Sequence, residues 1–174
     1  MKLTPTIEKY ILHWGEMGTR WGTNRTVAQI QALLYLSPEP LNAEDISKLL
    51  SVARSNVSTS IKELQSFGVI KVSQKLGDRR DYFATDSDIW EMFMKILEER
   101  KRREIDPTLT MLRQCMLEAD EDKQTDPAIK ERISNMLGFM ENMSGWYDQV
   151  KGIPKSKLVK LMNLGAKVAK FVAR

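Results

Sequence analysis

Apolar positions recur at helical spacing through four successive stretches of the first 67 residues. Segments that end or start helices separate these stretches: the prolines within 37–40 cannot occupy a helix interior, and Asn42 is a good N-cap. Gly68 ends the fourth stretch as a C′ residue would. The pattern predicts helices over 6–20, 27–36, 42–50 and 54–67, with 51–53 as a short interruption between the last two.

The pattern changes after Gly68. Two short runs with strand-like composition, 69–74 and 81–85, flank a polar loop over 75–80 and predict a β-hairpin. From residue 88 onward the pattern is helical again, with Pro107 starting or kinking the second helix and a polar loop over 118–126. The predicted C-terminal helices are 88–103, 106–119, 128–150 and 155–172.

The order of these elements predicts a mainly α fold with a small β-hairpin wing. Two helices joined by a short turn, then a glycine and a hairpin, are typical of a winged helix-turn-helix, here between about residues 25 and 85. In that fold the second helix of the pair enters the DNA major groove, and the hairpin reaches the neighbouring backbone or minor groove.

One face of the helix over 54–67 carries short hydrogen-bonding side chains. With Val57, Ile61 and Leu64 directed inward, the periodicity places Ser55, Asn56, Thr59, Lys62 and Ser66 on the opposite face. Asn pairs well with adenine, and Ser and Thr can contact bases or phosphates. The alternative is an ordinary solvated helix face, although such faces usually contain more Glu and Lys.

The hairpin is strongly cationic, because Asp78 is the single acid among residues 69–80, which also contain Lys71, Lys75, Arg79 and Arg80. A guanidinium at a hairpin tip can enter a narrow minor groove, where the negative potential is greatest. We expect Asp78 to hold Arg80 in an extended pose through a bidentate pair. The alternative is a charged hairpin that only resists edge-to-edge aggregation.

Composition excludes several function classes. Cys115 is the single cysteine and is expected to be a small buried residue rather than a redox sensor, and His13 lies without a cysteine partner. The chain has no phosphate-binding loop, nucleophile elbow or metal-ligand motif, so we predict no enzyme, no metal and no cofactor. Neither a signal-peptide run nor a membrane span is present in the sequence, which predicts a cytoplasmic protein.

The net charge of the chain is a weaker indication of its binding partner. The formal net charge is +4, with 27 Lys and Arg against 23 Asp and Glu. So small an excess only hints at a polyanionic partner, and its position matters more than its size.

Several motifs resemble the MarR superfamily of winged helix-turn-helix transcriptional regulators, and in particular its GbsR-type branch. The similarity is clear over residues 7–97 and weaker beyond, where only the helical pattern is shared. The residues that carry it are Ile46–Leu50, Ser55–Ser58, the wing Gly77–Phe83, and the pairs Trp14-Gly15 and Trp21-Gly22.

The Asp-x-Arg wing motif of the superfamily matches Asp78 and Arg80. Its usual continuation into Leu-Thr is absent, because Ala84-Thr85 is followed by Asp86, and this departure favours the GbsR-type branch.

The resemblance implies a DNA-binding transcriptional regulator, of the repressor type, that acts as a homodimer on an inverted-repeat operator. It divides the chain into an N-terminal packing or dimerisation helix (1–24), a DNA-binding domain (25–86) and a helical dimerisation and effector region (87–174). The predicted contacts with double-stranded DNA are made by Arg54, Ser55, Asn56, Ser58, Thr59, Lys62, Lys75, Asp78, Arg79 and Arg80.

The sequence itself permits a dimer. The C-terminal helices carry apolar stripes, including Met136, Met140 and Met143, that exceed what a small winged domain needs. An intrachain bundle is the alternative. The segment 151–174 has seven Lys or Arg and no acid, so it is either a nucleic-acid or membrane-surface arm or a solubilising helix end.

The resemblance also implies a small effector such as choline or glycine betaine. A quaternary ammonium group is bound by the faces of aromatic rings, because it has no N–H to donate. Tyr35 and Phe93 are further aromatic candidates, but the predicted effector residues are Trp14, Trp21, Trp90, Trp146 and Tyr147. These side chains could equally fill the core and the dimer interface.

A function of a different class also fits the pattern. In that alternative the chain is a winged-helix protein-interaction module without direct DNA readout, and the basic hairpin docks an acidic partner.

Overall fold

The computed structural model describes residues 1–86, 88–122, 124–160 and 164. The contacts group the chain into two compact units, Met1–Ile96 and Leu97–Arg174. The elements are α1 (Pro5–Arg20), α2 (Arg25–Leu36), β1 (Leu41–Asn42), α3 (Ala43–Leu50), α4 (Arg54–Ser66), β2 (Ile70–Gln74), β3 (Asp81–Thr85), α5 (Ile89–Arg100), a π-helical turn (Lys101–Ile105), α6 (Asp106–Glu121) and α7 (Pro127–Lys151).

The predicted winged helix-turn-helix is confirmed, and its helix ends are set by local chemistry. The Asn42 Oδ1 atom accepts hydrogen bonds from the backbone N–H groups of Glu44 and Asp45, each at 3.0 Å, so this residue is the N-cap of α3. Ser51, with φ 53°, ends α3 in the left-handed region, and Gly68, with φ 66°, follows α4 in the same region. The breaks that the sequence predicts are therefore real helix termini.

The sheet has one strand more than the sequence pattern predicts. Its order is β1-β3-β2, all antiparallel, and Leu41 and Val72 flank Phe83 on its two sides. β1 contains only two residues, too few to show an alternating pattern. This short strand anchors the base of the wing to the segment that leads into α3.

The core of the first unit forms around α2, which contributes seven buried residues. Ile30, Leu33, Ile46 and Val57 are the largest side chains that are fully buried. α1 packs closely on α2, because a Cβ atom added at Gly18 would lie only 2.4 Å from the Ala28 Cβ atom. The first helix is therefore part of the compact unit that carries the winged motif.

The structure of the second unit corrects two of the predicted helix ends. Pro107 lies in the first turn of α6, as predicted, but α5 ends at Arg100 and the π-helical turn joins it directly to α6 without a break. A proline ring clashes with the carbonyl group four residues earlier, and one wider turn relieves that clash without ending the helix. The predicted loop over 118–126 is also too long, since α6 continues to Glu121.

A buried carboxylate stabilises the π-helical turn. Glu99 is 7% exposed and accepts hydrogen bonds from Arg102 at 2.6 Å and from Arg103 at 2.5 Å. These guanidinium contacts lower the pKa of Glu99 to about 2, so this carboxyl group is ionised at neutral pH.

Three further expectations concern single residues or segments. Cys115 is half-buried rather than a core residue, and its Sγ atom lies 3.5 Å from the Met111 Sδ atom. His13 is exposed. Of the predicted helix over 155–172, residues 155–160 are helical, and the stretches 161–163 and 165–174 lie outside the described residues. Over the described residues, no helix has both the length and the apolar content that a membrane crossing requires.

Candidate nucleic-acid interface

The polar face of α4 is exposed to solvent along its whole length. Val57, Ile61 and Leu64 face inward as predicted, and Ser60 is buried beside them. In the described part of the chain, the side chains of Ser55, Asn56 and Thr59 form no hydrogen bonds with other residues. The exposed polar residues of α4 are Arg54, Ser55, Asn56, Ser58, Thr59, Lys62, Gln65 and Ser66, of which only Gln65 is not predicted by the sequence.

The N-terminus of α4 is open to an anion. Its N-cap residue is Ala53, which has no side-chain acceptor, whereas side chains cap α1, α2 and α3. The first N–H groups of a helix carry partial positive charge and bind phosphate when no side chain occupies them. Arg54 at the first position adds a full positive charge.

The turn between α3 and α4 is fixed by two hydrogen bonds around Ser47. Its hydroxyl group donates to the Val52 carbonyl oxygen at 2.7 Å, and its carbonyl oxygen accepts from the Val52 N–H group at 3.2 Å. α4 is thereby held at a set angle to α3, and its polar face is presented by a rigid support.

The wing ends in a tight turn over Lys75–Asp78. The Asp78 N–H group donates to the Lys75 carbonyl oxygen at 3.0 Å, and Gly77 has φ 82°. A positive φ at the third residue of a β-turn favours glycine, because other side chains are strained there. The turn therefore has a defined shape, and Lys75, Arg79 and Arg80 are exposed around it.

The expected pair between Asp78 and Arg80 is present. Arg80 donates from Nη2 to Asp78 Oδ2 at 2.6 Å and from Nε to Asp78 Oδ1 at 3.0 Å, and the Arg80 backbone N–H group donates to Oδ1 at 2.9 Å. The pair keeps the pKa of Asp78 far below its usual range and raises that of Arg80. Both groups are therefore charged at physiological pH, and the guanidinium group is held in place.

Two residues that the sequence pattern does not predict also contact the Asp78–Arg80 pair. The Tyr82 hydroxyl group donates to Asp78 Oδ2 at 2.8 Å and accepts from Arg80 Nη2 at 3.2 Å. Glu44, at the start of α3, places Oε2 3.8 Å from Arg80 Nη1. Tyr82 lies in the wing motif and could have been suspected from it, whereas no sequence signal connects Glu44 to the wing.

The cations of the hairpin are not equivalent. Lys71 pairs with Asp86, which also accepts a hydrogen bond from Lys95 at 2.8 Å. Lys75 lies over the Tyr82 ring, with Nζ 4.2 Å from the ring centroid. The free positive potential of the wing is therefore concentrated near its tip rather than along β2.

The predicted effector residues are only partly brought together. Trp14 stacks on Tyr10 with a centroid distance of 5.7 Å, and Trp21 meets the Trp14 ring edge-on at 6.0 Å. Trp90 contacts Phe93 instead, at 6.0 Å.

The remaining aromatic candidates lie elsewhere. Trp146, which is exposed, and Tyr147, which is half-buried, belong to α7 in the second unit. A small recess in the first unit is lined by Tyr10, Trp14, Gln31, Ala32, Tyr35, Ile89 and Met92.

Comparisons with known proteins find regulators of transcription. No family model matches the chain. The HTH-type transcriptional repressor GbsR of Bacillus subtilis (strain 168) is 21% identical over 139 residues, covering 78% of this chain and 77% of that protein. A solved structure described as that of a transcriptional regulator is 20% identical, covers 85% of this chain and 97% of its own, and superposes with a TM-score of 0.71.

Both of these proteins are described as regulators of transcription. The structural likeness confirms the fold over most of the chain. The resemblance to the GbsR-type branch of winged helix-turn-helix transcriptional regulators, inferred from the wing and helix motifs, is therefore confirmed.

Proposed function

We propose that this chain is a sequence-specific DNA-binding transcriptional regulator in which α4 enters the major groove and the β2–β3 wing enters the adjacent minor groove. The observation that carries the proposal is the exposed, uncapped and polar α4 beside a wing whose arginine is held in place. Such a surface has hydrogen-bonding groups for base edges on one element and fixed positive charge on the other.

Each side chain has a distinct role in this proposal. Ser55, Asn56 and Thr59 lie on the part of α4 nearest its N-terminus and read bases. Arg80 enters the minor groove, oriented by Asp78. Cationic contacts to the phosphate backbone come from Arg54, Lys62 and Lys75, and Ser58 and Arg79 complete the contact surface.

We further propose that the protein is a homodimeric repressor that binds an inverted repeat. The relative from Bacillus subtilis is named a repressor. A two-fold dimer presents two recognition helices about one turn of DNA apart, roughly 34 Å, which fits two half-sites of opposite orientation. The exposed apolar residues of α7 support a second copy as the partner of this helix.

Asn56→Ala tests the DNA-reading role. A duplex recovered by the parent protein from a random-sequence pool serves as the specific probe, and a mixed-sequence duplex serves as the non-specific one. We expect binding of the selected duplex to weaken by about 10- to 100-fold, since a good base contact contributes about 1–3 kcal/mol of discrimination. Binding of the mixed-sequence duplex should change little. Fluorescence anisotropy at several salt concentrations measures both.

Gln65→Ala is the matched control, because Gln65 is exposed near the other end of the same helix. We expect this variant to bind both duplexes like the parent. The parent should also lose affinity steeply as salt rises, because phosphate contacts release counterions. A parent that binds no duplex, or one whose binding is independent of salt, would instead favour the protein-interaction module.

The effector part of the proposal rests on the aromatic residues of the first unit. One face of Trp14 is covered by Tyr10, so a quaternary ammonium group would have to use the Tyr35 side of the recess or the region near Trp21. We expect choline or glycine betaine at millimolar concentration to change the tryptophan fluorescence of the parent, and a Trp14→Phe variant to show a smaller change. An unchanged spectrum in the parent would eliminate these two compounds as effectors.

A further inference from the structure

Leu76 is the most exposed large apolar residue among the described residues. Its relative exposure is 108%, whereas the next most exposed, Leu117, reaches 63%. It lies at the apex of the wing, between Lys75 and Gly77. Single exposed apolar side chains are common on protein surfaces, so the informative feature of Leu76 is its position at the apex of a cationic hairpin.

The geometry of the wing keeps this side chain directed away from the body. Leu76 is the second residue of the turn closed by the hydrogen bond from Asp78 N–H to the Lys75 carbonyl oxygen, and Gly77 takes the left-handed conformation that the turn needs. Below the turn, the strands pair from Gln74 with Asp81 down to Ile70 with Thr85. The Leu76 side chain, which is fully exposed, therefore lies at the end of the hairpin.

The charges around Leu76 indicate what covers it. Lys75, Arg79 and Arg80 surround the apex, and Asp78 is already paired with Arg80. A second copy of the same tip would bring like charges together, which disfavours tip-to-tip association. A groove between two phosphate backbones offers opposite charge for the cations and sugar walls for the apolar group.

We propose that Leu76 enters the minor groove beside Arg80 and acts as an apolar wedge that opens a base step and bends the DNA. This inference rests on the proposed DNA-binding function and assigns Leu76 a role in it. Proteins that bind the minor groove use leucine and similar side chains in this way, and the bend widens the groove around the inserted hairpin. Flexible pyrimidine–purine steps, which kink most easily, should be preferred where the wing inserts.

Leu76→Ala and Leu76→Asn test the wedge. The first shortens the apolar side chain, and the second keeps a similar size but makes it polar. We expect each to weaken binding of the selected duplex about tenfold, which corresponds to about 1.4 kcal/mol. Each should also reduce the bend, measured by energy transfer between dyes at the duplex ends. The salt dependence should stay that of the parent, because no charge is changed.

Val72→Thr is the matched control, because Val72 is another exposed apolar residue of the same hairpin, at 45%, but lies away from its tip. We expect it to bind and bend DNA like the parent. Parent-like bending by both Leu76 variants, with or without a change of affinity, would overturn the wedge. A parent that does not bind duplex DNA would overturn the proposed function itself, so the two failures are distinguishable.

Discussion

Arg80→Ala is expected to weaken binding of the selected duplex about 100-fold while the protein stays folded. Each wing of a dimer would lose a minor-groove contact of about 1–2 kcal/mol, and two wings act together. The loss has a second cause, since removal of Arg80 leaves the Asp78 carboxylate without its bidentate partner. An unpaired negative charge at the wing tip repels the phosphate backbone.

The neighbouring residues allow these two causes to be separated. If the unpaired carboxylate contributes, the double variant Asp78→Ala/Arg80→Ala should bind the duplex more tightly than Arg80→Ala alone. Tyr82→Phe removes the hydroxyl group that contacts both members of the pair and should weaken binding only a few-fold. Arg79→Ala removes the adjacent cation and should cost less than Arg80→Ala.

Thermal unfolding should remain close to that of the parent in these variants, because an exposed ion pair contributes little to stability. Binding by anisotropy and unfolding by circular dichroism are therefore the two measurements. An Arg80→Ala protein that binds the selected duplex as the parent does would show that the wing assignment is wrong.

The parts of the site that could be predicted are those set by local sequence. The exposed face of α4 follows from helical periodicity alone, because the inward positions of Val57, Ile61 and Leu64 determine which residues lie opposite. Asp78 and Arg80 are only two residues apart and follow directly on the turn at Gly77. The short sequence motif is therefore enough to predict their contact. The N-cap at Asn42 is local in the same sense.

The parts that could not be predicted depend on contacts between distant segments. Glu44 reaches Arg80 only because β1 pairs with β3 and brings the start of α3 beside the wing, and a two-residue strand leaves no pattern in the sequence. From the sequence, Lys71 adds to the positive charge of the hairpin. In the structure it pairs with Asp86, which lies fifteen residues away along the chain. Charge counting along a chain does not show which charges are already neutralised.

The errors in the predicted helix ends, and in the burial of Cys115, have a different origin. Pro107 lies in the first turn of α6, as the sequence predicts, but a π-helical turn, supported by Glu99 with Arg102 and Arg103, replaces the predicted end of the preceding helix. The sequence pattern predicts a loop from Glu118 to Glu121, because polar residues show no apolar periodicity, yet these residues extend α6. Cys115 was expected in the core on composition alone, and composition does not determine which face of a helix is covered.

Met136→Glu is expected to convert the protein to monomers and to weaken binding of the selected duplex by 100-fold or more. As far as the structure describes the chain, no residue of α7 is buried, and the helix carries an exposed apolar stripe with heptad-like spacing: Ile129, Met136, Phe139, Met143 and Trp146. A charge at the centre of a stripe covered by a second copy would be desolvated without a partner. Loss of the dimer removes the gain in affinity that comes from joining two half-site contacts, which commonly reaches about 10²- to 10⁴-fold.

Asn135→Glu is the matched control for this substitution, since it adds the same charge at an exposed polar position next to Met136 on α7. Sedimentation velocity should show the control and the parent as dimers and Met136→Glu as a monomer, with anisotropy reporting the loss of affinity. If Met136→Glu sediments as a dimer, this stripe is not the subunit interface. An apolar stripe along the 25-residue helix α7 that the described residues leave exposed needs a cover, and two-fold pairing supplies one from an identical stripe.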